Sequence, residues 1–258
     1  MTSPVTLLTD ALALDSARPR VTWYDDDTGE RVELSGATLR TWVAKTSHLL
    51  AGELLAGPGT TVSVDLPRHW TAAIWWLAVD AVGAQRCDPA EPADVAVVGP
   101  HRLAQLPAAD EIVAVSMRPM GAPFAEPLPA LVHDYFDAAR LQADDYPFGS
   151  TAPSPTGQRD AAAAADLASS WGLTNADRVL AAGSWVGGDP ALAELFAPLA
   201  ADASVVWVRN PSSAGFVQRL ESEQVTAILD TRSGQPAAPG VRVLAPVSVS
   251  FSRPPRPH

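Results

Sequence analysis

The sequence predicts an α/β protein, with one or more mostly parallel sheets flanked by helices and a β-hairpin near the start. Three observations carry this. First, residues 61–66 alternate Val62, Val64 and Leu66 with polar neighbours, as a strand does. They run through a Pro67-Arg68-His69 corner into a stretch from residue 70 to 83 that is apolar on nearly every side. A helix of that kind is buried, and strand, corner and covering helix are the first two parts of a βαβ unit. Second, short apolar runs at 95–98, 112–115, 178–182, 204–208, 225–229 and 241–244 are separated by helical or breaker-rich stretches. Strands alternating with helices imply parallel pairing with helices on both faces. Third, Val21-Thr22-Trp23-Tyr24 and Arg31-Val32-Glu33-Leu34 flank Asp25-Asp26-Asp27-Thr28-Gly29, a turn between β-prone runs.

Taken in order, residues 5–14 form an amphipathic helix and the hairpin follows. Ser35 is placed to accept free N–H groups at the start of the next helix, whose apolar positions are Leu39, Trp42, Val43, Leu49 and Leu50. Gly57-Pro58-Gly59 closes that helix. After the strand–corner–helix unit come a loop at 89–92, strands at 95–98 and 112–115, a loop at 117–129 and a short helix at 133–141. Pro147, Gly149, Pro153, Pro155 and Gly157 mark 142–158 as a linker or exposed loop. A helix at 160–171, a Thr174 turn, a strand at 178–182 and a corner at 183–189 follow. Pro190 suits the first turn of a helix running to 201. Residues 204–208 are a strand, 214–223 a helix, 225–229 a strand, 231–240 a loop and 241–244 a last strand. The reading is one α/β domain over 1–250 and a disordered proline-rich tail at 251–258.

Composition excludes several functions. The net charge is −11, which repels phosphate backbones and argues against nucleic acid as a partner. One cysteine, Cys87, rules out an intramolecular disulfide framework and a cysteine-rich zinc site. No apolar run has the ~18 residues of a membrane span, and residues 1–15 lack the basic flank of a secretory signal. A cytoplasmic protein is expected. No spacing of histidine, cysteine and carboxylate residues suggests a metal. The Asp25, Asp26 and Asp27 cluster reads as a solvated turn. Trp70, Trp75 and Trp76 read as core and Cys87 as a packed thiol.

Several blocks, in order, resemble the adenylate-forming (AMP-binding, acyl-CoA synthetase) superfamily. They are Thr22-Trp23-Tyr24 with Gly29-Glu30, Leu34-Ser35 with Leu39, and Gly57-Pro58-Gly59-Thr60-Thr61-Val62. Leu66-Pro67-Arg68-His69 and Ala81-Val82-Gly83-Ala84 follow, then Leu173-Thr174-Asn175-Ala176-Asp177-Arg178-Val179-Leu180 and the segments 195–208 and 221–228. The resemblance covers roughly residues 1–230, and the chain is most similar to short, single-copy relatives of these enzymes in high-GC bacteria. It implies part of the large N-terminal domain of such an enzyme.

The departures from the family pattern bear on activity. The resemblance implies a hydroxyl- and glycine-rich loop before the 160–171 helix, whose N–H groups and lysine hold phosphates. This chain offers Ser150-Thr151-Ala152-Pro153-Ser154-Pro155-Thr156-Gly157-Gln158, where prolines remove N–H donors and no lysine follows. Lys45, the one lysine, lies outside any family motif. The family's later aspartate, glutamate and lysine fall in a half that this chain lacks. No catalytic residue is therefore assigned, and ATP, AMP or Mg²⁺ are expected only where a nucleotide pocket survives. The carboxyl ends of the strands, where open α/β sheets hold ligands, supply Leu66, Arg68, His69, Ser184, Trp185, Gly187, Gly188 and Asp189 as candidate ligand-binding residues. Gly187-Gly188-Asp189 reads either as an anion site or as a turn with Asp189 capping the helix. Asp65, His69 and Ser184 would make a hydrolase only in mutual hydrogen-bonding contact, and no G-x-S-x-G elbow frames Ser184. Three functions remain. The first is a non-catalytic ligand-binding or protein-interaction module. The second is a residual acyl- or nucleotide-processing enzyme with a pocket between 66–69 and 183–189. The third is a structural subunit with a protein partner or self-association.

Overall fold

The computed structural model describes residues 2–183, 185, 189–229 and 239–245. Among them run α1 (Pro4–Leu14), β1 (Pro19–Asp25), β2 (Glu30–Ser35), α2 (Gly36–His48), β3 (Thr61–Asp65), α3 (Trp70–Ala81), β4 (Gln85–Cys87), β5 (Ala93–Val98) and β6 (Ala109–Ala114). β7 (Val132–Asp134), α4 (Tyr135–Arg140), α5 (Pro155–Ser170), β8 (Arg178–Ala182), α6 (Ala197–Ala200), β9 (Ser204–Arg209), α7 (Ser213–Ser222), β10 (Ala227–Leu229) and β11 (Arg242–Leu244) follow. The predicted loop at 231–240 falls largely, and the predicted tail entirely, outside the described residues.

The strands make two sheets. One has the order β11-β10-β8-β9-β1-β2, the other β4-β3-β5-β6-β7. All described pairings are parallel except β1 with β2. α3 packs on β1 of one sheet and β3 of the other. That position is why its twelve residues are all buried: a helix between two sheets has no face left for water. Trp23, Trp75, Trp207, Tyr135, Phe136 and Phe196 are fully enclosed in this shared core, with Trp70 and Trp76 also buried there. The outer face of the six-stranded sheet is covered by α7 through Phe216 and Leu220. The outer face of the five-stranded sheet is covered by loop residues, among them Leu103, Phe124 and Leu128, rather than by a helix.

Several expectations are corrected. Residues 133 and 134 belong to edge strand β7, and the helix begins at Tyr135, with Asp134 accepting the Phe136 N–H at 2.9 Å as its cap. The predicted 142–158 loop ends early, because Ser154 caps α5 and Pro155 opens it. β4 is a short edge strand paired with β3 that the polar sequence Gln85-Arg86-Cys87 concealed. α2 continues into a π-helical turn, Leu49–Glu53. The Asp25–Asp26–Asp27 turn is not simply solvated: Asp25 is buried and accepts from Asn210, and Asp26 pairs with Arg219 at 2.5 Å, tying the hairpin to α7.

Candidate functional site

The corner after β3 is built from inward-facing polar groups. The His69 backbone is extended and its Nδ1 accepts the Thr71 N–H at 3.3 Å, so it caps α3. The Thr71 hydroxyl lies 2.7 Å from the same nitrogen. The Arg68 carbonyl accepts the Trp23 indole N–H at 2.9 Å. The Arg68 guanidinium makes two hydrogen bonds to Glu194, at 2.9 and 2.6 Å, and donates to the Gly183 carbonyl. It also lies 4.6 Å from the Trp185 ring centroid. Trp185 donates its indole N–H to the Leu66 carbonyl at 3.1 Å, and Trp207 donates to the Glu194 carbonyl at 3.1 Å. Burial raises the Glu194 carboxyl, and the Arg68 charge opposes the rise. These contacts join the β3 corner to the π-helical turn Leu192–Phe196 that follows β8. Trp185 also packs against Trp76 and Trp207, with ring centroids 5.4 and 5.8 Å apart.

A second buried ionic cluster stands beside it. Asp189 accepts the Ala191 N–H at 3.0 Å as a helix cap and takes both Arg86 nitrogens at 3.1 and 2.5 Å. Arg86 also binds Asp160 at 2.7 Å and lies 5.1 Å from the Phe196 ring centroid. Asp189 thus serves as a helix cap and as a carboxylate partner of Arg86.

Of the candidate residues, Leu66, Arg68, His69 and Trp185 come together, and Asp189 sits with Arg86. Ser184, Gly187 and Gly188 lie outside the described residues. Asp65 and His69 do not meet as a hydrolase pair would. Asp65 turns to His101 at 3.3 Å and Arg102 at 3.2 Å, and His69 packs edge-on to Trp23 with centroids 4.5 Å apart. His69 is 1% exposed, and burial, with Arg209 adding repulsion, pushes its pKa down to about 3. A neutral, enclosed imidazole is a packing and capping group. Burial pushes the Cys87 thiol up to about 11, far from nucleophilic poise.

The loop at which the resemblance implies phosphate binding has a different chemistry. Ser154 accepts the Gly157 N–H at 3.0 Å, the ordinary cap of α5. The Asp80 carboxylate, 7% exposed, lies against that first turn so closely that a Cβ on Gly157 would stand 2.1 Å from Oδ1. Its Oδ2 accepts the Val5 N–H at 2.9 Å, which fastens α1 to α3. Burial raises its pKa, against the pull of the Val5 N–H, the Ser3 hydroxyl and Arg86, while Asp160 adds to the rise. Lys45 donates to the Gln142 carbonyl and pairs with Asp144, both at 2.6 Å. Sequence reasoning missed Asp80, Arg86 and Glu194. Asp80 did leave a signal, as the lone charged residue in an otherwise apolar helix. Among the described residues no group of three histidine, cysteine or carboxylate side chains could hold a metal, and no helix is long and apolar enough to cross a membrane.

This architecture is the fold of part of the N-terminal domain of adenylate-forming enzymes. The chain superposes on an acyl-CoA synthetase from Brucella canis with a TM-score of 0.71 and 17% identity, covering 89% of this chain and 48% of that one. It matches the anthranilate CoA ligase AuaEII, solved with anthranoyl-AMP, with a TM-score of 0.68 and 14% identity over 89% and 49% of the two chains. It matches acetoacetyl-CoA synthetase from Streptomyces lividans with a TM-score of 0.66 and 17% identity over 88% and 42%. The chain thus spans less than half of each of these enzymes. No protein-family model matches it. A "TIGR03089 family protein" of Mycobacterium tuberculosis (strain ATCC 25618 / H37Rv) is 42% identical over 252 residues, covering 89% of this chain and 100% of the relative. The chain belongs to the TIGR03089 family.

Proposed function

We propose that this protein is a non-catalytic, cytoplasmic binding module on the adenylate-forming fold, engaging a ligand or a protein partner without activating an acyl group. The observation that carries the reading is the charge at the first turn of α5. A triphosphate there would meet the Asp80 carboxylate, and like charges in a poorly solvated site disfavour one another. The nearest cation, Arg86, is already held by Asp160 and Asp189. Lys45, the only lysine, is engaged elsewhere. The reading calls for no nucleotide and no Mg²⁺.

A residual enzyme would need an accessible acid or base at the β3 corner, and enclosed His69 does not supply one.

The test is a thermal-shift titration with ATP, AMP and several acyl-CoAs, with and without Mg²⁺, alongside ATP–pyrophosphate exchange in the presence of carboxylic acids. The expected result is no saturable shift with either nucleotide and no exchange. A nucleotide at a hundredfold excess over its Kd would add about 2.7 kcal/mol of stability. That shift, accompanied by exchange, would overturn the reading.

A further inference from the structure

Strand β2 closes one side of its sheet: β1 lies on one flank and, among the described residues, no strand lies on the other. The backbone N–H and C=O groups of residues 31–33 make no hydrogen bond among the described residues outside the pairing with β1. An antiparallel ladder turns the backbone groups of alternate residues toward and away from the neighbouring strand. Part of this backbone therefore points outward without a partner. Such an edge is a template on which another strand can add.

The side chains decide what fits there. Val32 and Leu34 face the shared core, while Arg31 and Glu33 turn to the other face, where Arg31 meets Tyr24 and Glu223. The side chains of Arg31 and Glu33 are 43% and 35% exposed and pair within the strand through Nη2 and Oε2 at 2.5 Å. Arg31 Nη1 and Glu33 Oε1 make no hydrogen bond among the described residues. Each side chain thus keeps a spare donor or acceptor beside the open edge. Charges on an edge ordinarily repel an added strand. Their order here is self-complementary in one register. Two copies of β2 running antiparallel about a two-fold axis at Val32 place each Arg31 opposite the Glu33 of the other copy. An axis at Arg31 would set arginine against arginine, and an axis at Glu30 or Glu33 would set glutamate against glutamate. Opposite charges facing across strands stabilise the pairing and like charges oppose it.

We propose that the partner of this edge is a second copy of the chain: a two-fold symmetric dimer in which the β2 strands pair antiparallel with Val32 at the axis. The two six-stranded sheets then run on as one, with Val32 and Leu34 of both copies on the core side. The contact uses the same patch on both copies, so it closes at two. It is short, which makes the dimer weak and dependent on concentration. The proposal goes beyond the binding-module reading and does not need the absence of catalysis.

The experiment is sedimentation velocity of the full chain from about 1 to 100 µM, with two charge-reversed variants, Arg31→Glu and Glu33→Arg. The unsubstituted chain should pass from monomer to dimer over that range. Each variant alone sets like charges opposite one another and should dimerise at least about tenfold more weakly. An equal mixture of the two restores opposite charges at both positions and should dimerise again, which a merely structural role for either residue would not produce. A chain that stays monomeric throughout overturns the proposal. Variants that dimerise undiminished, or a mixture that stays monomeric, overturn it as well. If a single variant does not fold, the exchanged chain Arg31→Glu/Glu33→Arg decides: it should dimerise with itself and not with the unsubstituted chain, and mixed dimers would refute the register. No nucleotide enters the measurement, so failure of the dimer and failure of the non-catalytic reading are separate results.

Discussion

Replacing Glu194 by leucine tests the claim that the ion pair between the β3 corner and the turn after β8 fastens the two sheets together. The side chains of Arg68 and Glu194 are 1% and 3% exposed and share two hydrogen bonds, at 2.9 and 2.6 Å. Glu194→Leu removes the carboxylate and leaves the guanidinium enclosed beside Trp185 without that counter-charge. Taking one partner from a buried pair costs about 3–5 kcal/mol, because the remaining charge stays desolvated. For a chain of this length each kcal/mol moves the melting temperature by about 2–4 °C, so the loss is on the order of 10 °C. The double variant Arg68→Met/Glu194→Leu removes both charges and keeps apolar volume, and it should recover most of that loss. The assay is urea unfolding followed by tryptophan fluorescence and by circular dichroism, for the two single variants and the double. A Glu194→Leu cost below about 1 kcal/mol would refute the reasoning, as would a double variant no more stable than the worse single one.

Two further outcomes follow from buried groups. His69 has its pKa lowered to about 3, so the unfolded chain takes up a proton below about pH 6.5 that the folded chain refuses. Stability conferred by neutral His69 is thus complete above about pH 6.5 and falls as the pH drops, by up to about 1.4 kcal/mol per unit. Between about pH 6.5 and 5, before most carboxylates titrate, urea unfolding should show that slope, and His69→Asn, which keeps a helix cap, should flatten it. Gly157→Ala, with its Cβ facing Asp80 Oδ1 at 2.1 Å, should destabilise by about 1–3 kcal/mol, and Asp80→Ala in the same chain should reverse part of that loss, as measured by thermal melts.

How much of this was legible in the sequence depends on whether the signal was local. Periodicity and breakers marked most of the elements, because the faces of a strand or helix are set by residues a few positions apart. The capping roles of Ser35 and Asp189 were readable for the same reason, since a cap accepts N–H groups from the next turn. The short edge strands β4 and β7 left too weak a pattern over three residues each. The site was harder still. His69 was read as a candidate ligand group because it follows the carboxyl end of a strand, and only its packing against Trp23 shows it enclosed.

What the sequence by itself determined was the α/β class, the buried α3, the missing lysine of the phosphate loop and the resemblance to adenylate-forming enzymes. What only the tertiary structure decided was partnership. β1 lies beside β9, with Trp23 in register with Trp207, so the N-terminal hairpin completes a sheet supplied mainly by the second half of the chain. Arg68 meets Glu194 across 126 positions, Arg86 meets Asp189 across 103, and Asp80 meets Val5 across 75. The physical reason is range: local propensity acts over one or two turns, whereas the partner of a buried charge is chosen by which distant element closes over it and excludes water.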